Sequence, residues 1–426
     1  LTSCSISKQI SNSAQQLVIK DSSLLAAHVG ISIYEPATNK YWYNYQGDKY
    51  FVPASNTKLP TCYAAMKYLG DSLVGLKYVI EQDSFLLIEP TGDPTFLHPD
   101  FSRQPVYDFL KNTQKKIYVL SPHEQNYPFP YGKGWQIDDV NETYLVPRSE
   151  FPIYGNLVTF AADNNGNISS IPKVFASENN LVINGLCKEI KSIKKFDVFE
   201  NRYLITCAGP GQGVKKIQIP FRPTSGFVYT EALGDTIHQK VNSGGYTQKK
   251  NREKIFSRPT DSLLQITMHR SDNFFAEQTL LMVSNERLGV MNDEKIIDTL
   301  LKTDLKDLPQ KPRWVDGSGL SRYNLFTPQD FVSILNKMKN EFGMERIKII
   351  LPTGNTGTLT NYYVAEKGYL FAKTGTLSGV VALSGYLYTK KNKLLIFSVL
   401  VNNHQASATA VRRAVEKFIE GVRNKY

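Results

Sequence analysis

The chain has 426 residues, 41% hydrophobic and 21% charged, with a formal net charge of +11. This composition belongs to a globular protein large enough for two or more domains, and it excludes a disordered chain. No apolar run approaches the roughly 18 residues of a spanning helix. The lysines are scattered without a basic stripe, and the cysteines and histidines lack ligand spacing, so neither a nucleic-acid partner nor a metal is expected.

In chain order, the first feature is Cys4. Residues 1–4, "LTSC", match the small-residue pattern before a lipidated cysteine, so export and membrane attachment through Cys4 are an expectation. Val29, Ile31 and Ile33, then Tyr41, Tyr43 and Tyr45, alternate across a turn at 36–40 and predict a strand hairpin. An Ala-rich helical segment follows. At its start Ser55 and Lys58 stand three apart, which puts both on one face of a turn. Pro60 removes an early helical hydrogen bond there and predicts a kinked or displaced first turn.

From about residue 76 to 245 the texture changes to short strand-like runs broken by turns such as "EPTGDPTF" and "AADNNGN". Cys187 and Cys207 flank a hairpin-like stretch and are able to pair in an oxidising compartment; the sequence leaves their pairing open. Helical periodicity returns around Ser271-Asp272-Asn273. Lys373-Thr374-Gly375-Thr376 stands just before the strand "GVVALSGYLY", which turns back at 390–393. A terminal helix over about 407–423 carries Val411, Val415, Phe418, Ile419 and Val422 at helical spacing. The simplest architecture is one domain made of residues 1–70 and 246–426, interrupted by a β-rich insertion over 71–245.

Ser-x-x-Lys, Ser-Asp-Asn and Lys-Thr-Gly are each common alone, but here all three occur in order and in suitable local settings. With "PASNTKLPT", "TGDPTF", "YGKGWQIDD", "RSDNFFAE", "VDGSGLSRYNLFTP", "LPTGNTGTL" and "AKTGTLSGVVALSGY", they make most of the chain resemble one family. It is the S13 serine peptidases, low-molecular-mass penicillin-binding proteins (class C) of the D-alanyl-D-alanine carboxypeptidase/endopeptidase kind. Ser271 lies 216 residues after Ser55, and the family is known for inserting domains there. The resemblance implies an α+β, β-lactamase/transpeptidase-like fold, with a five-stranded, mainly antiparallel sheet flanked by helices. It implies a DD-peptidase acting on D-Ala-D-Ala of peptidoglycan stem peptides, with cross-link cleavage as a further expectation. No cofactor is implied, and β-lactams are expected as covalent inhibitors.

A serine hydroxyl needs a base within reach, and a lysine serves only when neutral, which burial and a neighbouring cation such as Lys373 favour. The resemblance makes Ser55 the nucleophile and Lys58 its proton acceptor. Ser271 would relay the proton to the leaving amine, and Asn273 would hold Lys58 and the substrate amide. Lys373 and Thr374 would bind the terminal carboxylate, and Gly375 would let substrate lie against the strand. The N–H groups of Ser55 and Thr376 would form the oxyanion hole. Asp139 is expected either to meet an amino group of the stem peptide or simply to cap a turn. The loop 316–324 is expected near the site, with no role for Ser318 or Arg322, and His269 is read as packing or surface.

Two rival readings remain at this point. A class A β-lactamase needs a glutamate four residues before an asparagine, and none of the six glutamates between Ser271 and Lys373 has that spacing. The other is an inactive cell-wall binding protein on the same fold, which the complete set of reactive side chains disfavours.

Overall fold

The computed structural model describes residues 6–120, 128–197, 200–223, 226–244, 247–249 and 251–426. Cys4 and the expected boundary at 245/246 lie outside the described residues. After α1 (Ile6–Ala14), strands β1 (His28–Glu35) and β2 (Lys40–Tyr45) form the first hairpin, and α2 (Lys58–Tyr68) follows. The chain then leaves through β3 (Ser72–Glu81), β4 (Phe85–Pro90), α3 (Pro105–Asn112) and β5 (Lys116–Val119). It continues as β6 (Leu157–Ala162), β7 (Ile168–Ile171), β8 (Leu181–Asn184), β9 (Ile190–Lys195), β10 (Tyr203–Cys207) and β11 (Lys216–Pro220). Helix α4 (Gly226–Ile237), β12 (Val241–Ser243) and β13 (Glu253–Pro259) come next. The chain returns as α5 (Thr260–Ile266), α6 (Asn273–Leu288), α7 (Asp293–Lys302) and α8 (Pro328–Ile350). It closes with β14 (Leu370–Leu377), β15 (Val380–Tyr388), β16 (Leu394–Asn402) and α9 (Ala408–Lys425).

Both ends of the chain build one antiparallel sheet in the order β14-β15-β16-β1-β2. Helices cover both faces, so a central strand can be apolar throughout; residues 380–387 of β15 are all buried. Tyr63 of α2, Phe275 of α6 and Phe331 of α8 pack on one face with Tyr386. On the other, the apolar stripe Val411, Val415, Phe418, Ile419 and Val422 of α9 packs with Leu383, Phe397 and Val399. A bulge between Ile33 and Tyr34 breaks the alternation expected of β2. Trp42 and Tyr43 are both buried, and Tyr41 is exposed.

The inserted segments form a second five-stranded sheet, β12-β5-β4-β3-β13, and two three-stranded ones, β11-β6-β7 and β8-β10-β9. They share a core around Phe160, Phe175, Tyr203 and Phe221. A disulfide joins Cys187 to Cys207. The chain leaves and returns side by side: Thr260 N donates to Asp71 O at 2.9 Å, and Thr260 Oγ1 to Gly70 O at 2.8 Å. Because β13 pairs with β3, we propose that the inserted unit runs to Pro259, beyond the boundary drawn from composition. No helix among the described residues is long and apolar enough to cross a membrane.

Candidate active site

Ser55 sits on a 3₁₀ turn, Ala54–Thr57, that leads into α2. Ala54 has φ 48°, a left-handed conformation costing roughly 1–2 kcal/mol for a residue with a side chain. The turn is pinned to the sheet: Asn56 Nδ2 donates to Ser384 Oγ at 2.6 Å, and Ser384 Oγ to Ser398 Oγ at 2.8 Å. Pro60 does not kink or displace it. Helix α2 runs unbroken from Lys58, which puts Pro60 in the first turn, where backbone N–H groups need no helical partner.

Lys58 is fully buried. Its Nζ donates to Ser55 Oγ at 2.9 Å, Asn273 Oδ1 at 2.6 Å and the Ser318 carbonyl at 2.7 Å. Burial lowers its pKa from 10.5 to about 8, against the opposite pull of Asp316, Asp272 and Glu277. The sequence suggested burial together with a neighbouring cation such as Lys373; burial is the cause that lowers Lys58, and Lys373 is itself pushed well below its ordinary range by burial, then by Lys58 and Arg412.

The Ser-Asp-Asn motif lies at a break between two helices. A π turn, Thr267–Ser271, ends with Ser271 at φ 61°. Asp272 then caps α6, accepting from Phe275 N at 2.8 Å. The break turns the two flanking side chains to different lysines: Asn273 meets Lys58, and Ser271 Oγ accepts from Lys373 Nζ at 2.9 Å. Lys373 also donates to Thr374 O at 2.7 Å, and the Thr374 and Thr358 hydroxyls are 2.7 Å apart. Strand β14 is the sheet's edge, pressed against the Ser55 turn. A Cβ on Gly375 would stand 2.8 Å from Pro53 O and 3.0 Å from Ser55 N, so this approach requires glycine.

A buried acidic layer supports these groups. Asp316 accepts from Gly319 N, Ser321 N, Asn324 Nδ2 and Trp135 Nε1, at 2.8, 2.6, 2.7 and 3.0 Å. This fixes the 316–324 loop so that Ser318 offers its carbonyl to Lys58. Gly319 is required there, since a Cβ would lie 1.9 Å from Ala54 O, at φ +88°. Glu277 accepts from Ser318 N at 2.7 Å and pairs with Arg148 Nη1 at 3.3 Å. Burial first, then Asp316, raises the Glu277 pKa to about 7. Arg148 also reaches Asp293 at 2.5 Å, so the segment around residue 148 is tied to α6 and α7 through charge. His269 is half-buried and bonded to the Leu351 backbone; burial lowers its pKa, with Lys373 adding to the same direction.

Ser55, Ser271, Asn273 and Thr376 open into a cleft of about 520 Å³, also lined by Asp139, Tyr144 and Arg322. Asp139 hydrogen-bonds the Tyr144 hydroxyl, and the Tyr144 carbonyl accepts from Asn273 Nδ2 at 2.9 Å. Arg322 donates to Ser378 O at 3.1 Å. The side chains of 55, 58 and 273 thus form one hydrogen-bonded group and those of 271 and 373 another, and 55, 271, 273 and 139 line the same cleft. The carbonyls of Ser318 and Tyr144 and the Arg148–Glu277 pair were not anticipated. The only signal was the loop text "DGSGLSRYN".

The chain matches the family described as D-Ala-D-Ala carboxypeptidase 3 (S13) over residues 12–422. It is 25% identical to the D-alanyl-D-alanine carboxypeptidase of Actinomadura sp. (strain R39), covering 93% of this chain and 82% of that one. Its fold is similar to penicillin binding protein 4 (dacB) from Haemophilus influenzae, with TM-score 0.72, 19% identity, and coverage of 97% of this chain and 99% of that chain. The same H. influenzae protein complexed with a β-lactam gives TM-score 0.71 at 18% identity, with the same coverage.

Proposed function

Because the chain belongs to the D-Ala-D-Ala carboxypeptidase 3 (S13) family and is a serine-type D-alanyl-D-alanine carboxypeptidase, we propose that Ser55 carries its acyl intermediate. The observation behind this is Lys58 Nζ, 2.9 Å from Ser55 Oγ and wholly buried. A neutral amine has two N–H donors and one lone pair. With the donors on Asn273 Oδ1 and Ser318 O, the lone pair is left for the Ser55 proton.

Ser55 Oγ attacks the scissile carbonyl as Lys58 takes its proton. The N–H groups of Ser55 and Thr376 stabilise the oxyanion. As the intermediate collapses, the C–N bond breaks and the leaving amine takes a proton through Ser271. Lys373, Thr374 and Thr376 hold the carboxylate of the departing D-residue, and Gly375 lets the substrate backbone approach. Water then attacks the ester, returning Ser55 and releasing the shortened stem peptide. When the leaving amine belongs to a neighbouring stem, the same steps cut a cross-link. A β-lactam presents a strained amide and stays attached after ring opening. Asp139 would meet an amino group of the stem peptide from the cleft wall.

The work is done outside the cytoplasm, where the Cys187–Cys207 disulfide persists. Attachment through Cys4 is part of this proposal and is tested by mass spectrometry of the N-terminal peptide. Penicillin labelling followed by peptide mapping tests Ser55, and a penicilloyl group on any other residue overturns the assignment. Digestion of purified peptidoglycan, with products identified by mass, separates terminal D-Ala release from cross-link cleavage.

A further inference from the structure

Arg412 is absent from the motifs, yet it touches the strand that faces substrate. It stands in the second turn of α9, half-buried, and its Nη2 donates to Thr376 Oγ1 at 2.5 Å. Its neighbour Arg413 pairs with Glu416 at 2.5 Å. Arg412 has no such partner: among the described residues, no carboxylate lies within ion-pair distance of it. Its other close neighbour is the Tyr362 ring, 6.0 Å from the guanidinium carbon. A guanidinium held against a substrate-facing hydroxyl, without a counter-ion, is a cation whose anion is supplied from outside.

We infer that Arg412 is the second cation of the carboxylate subsite, and that with Thr376 it selects substrates whose departing D-residue carries a free α-carboxylate. This rests on the proposal that residues 373–376 receive that carboxylate. The polarity of the hydrogen bonds fits. Thr376 Oγ1 accepts from Arg412 and Ser271 Oγ from Lys373, so each hydroxyl keeps its own proton to give to an anion. The two cations also differ in kind. The Lys373 pKa is lowered by burial, then by Lys58 and Arg412, whereas a guanidinium stays charged at every working pH. Arg412 therefore provides the standing attraction for an arriving carboxylate, and Lys373 tightens once the anion is in place.

The test compares kcat/KM for a synthetic stem-peptide mimic ending in D-Ala-D-Ala with the same peptide ending in D-Ala-D-Ala-amide. It uses wild type, Arg412→Ala, Arg412→Gln, Arg412→Lys and Arg413→Ala. The wild type should prefer the free acid. Loss of one charge-assisted contact should cut the acid-to-amide ratio roughly tenfold to a hundredfold in Arg412→Ala and Arg412→Gln. Arg412→Lys should keep part of the ratio, and Arg413→Ala all of it. A change in positioning alone would lower both substrates together and leave the ratio unmoved. If the wild type prefers the acid but both neutral variants retain that preference, the role of Arg412 is overturned. If the wild type shows no preference, the carboxylate subsite itself is wrong, and Arg412 falls with it.

Discussion

If Lys58 accepts the Ser55 proton, acylation must follow the neutral fraction of one buried amine. With a pKa of about 8, roughly a tenth of Lys58 is neutral at pH 7. At the ordinary lysine value that share would be about three in ten thousand, so burial multiplies the available base roughly 300-fold. The second-order rate of acylation by a fluorescent penicillin, read by stopped flow, reports the free enzyme. It should climb about tenfold per pH unit up to about pH 7 and level near pH 8. Lys373 is depressed by the same burial and couples to Lys58, so the observed limbs belong to the pair. Lys58→Arg keeps a cation but cannot give up its proton, and should lose about 10³-fold or more across the whole range. A Lys58→Arg rate within about tenfold of wild type, or a flat wild-type profile between about pH 6 and 8, would refute the argument.

Burial, then Lys58 and Arg412, lower the Lys373 pKa, and a bound carboxylate should raise it. Titrating a carboxylate ligand at neutral pH by calorimetry in buffers of different ionisation enthalpy should therefore show proton uptake, and proton release would have the wrong sign. Glu277→Ala leaves Ser318 N without its acceptor and Arg148 with Asp293 as its remaining ion pair; denaturant unfolding should show a loss of about 1–3 kcal/mol. Gly375→Ala brings a Cβ to 2.8 Å from Pro53 O and 3.0 Å from Ser55 N; it should slow acylation at least tenfold and lower unfolding stability by about 1–3 kcal/mol. Replacing Cys187 and Cys207 by serine opens a loop with sequence separation 20; unfolding should show the insertion weakened by about 3 kcal/mol, while penicillin still labels Ser55.

The side chains proposed to react were legible in the sequence because that chemistry dictates their type, and a few short spacings carry them. The hairpin at the start, the strand after Lys373 and the terminal helix were legible through periodicity. What could not be read was supplied by the backbone or by distance. The carbonyls of Ser318 and Tyr144 hold Lys58 and Asn273, and any residue has a carbonyl. Arg148 meets Glu277 from another region of the chain, with no periodic pattern to join them. The π break before Asp272 interrupts what reads as continuous helix. The return strand β13 follows a turn-rich stretch that gives no sign of where the insertion ends.

The pairing of β1 with β16 sets Gly30 opposite Leu400, and this orders events in the life of the molecule. Ser55 and Lys58 are synthesised early, but the sheet that braces them is completed only when β16 has been made. At ordinary elongation rates the interval is roughly 20–70 s. The inserted sheets are built largely from contacts nearer in sequence, whose loops close at less entropic cost, so they can fold while the catalytic sheet still waits. Lys373 is itself on β14, beyond residue 370. A chain on which β14 and β16 are still to be made thus holds the proposed nucleophile Ser55 with neither its sheet nor Lys373. The proposed site is therefore assembled only once residues 370–402 have been made and paired.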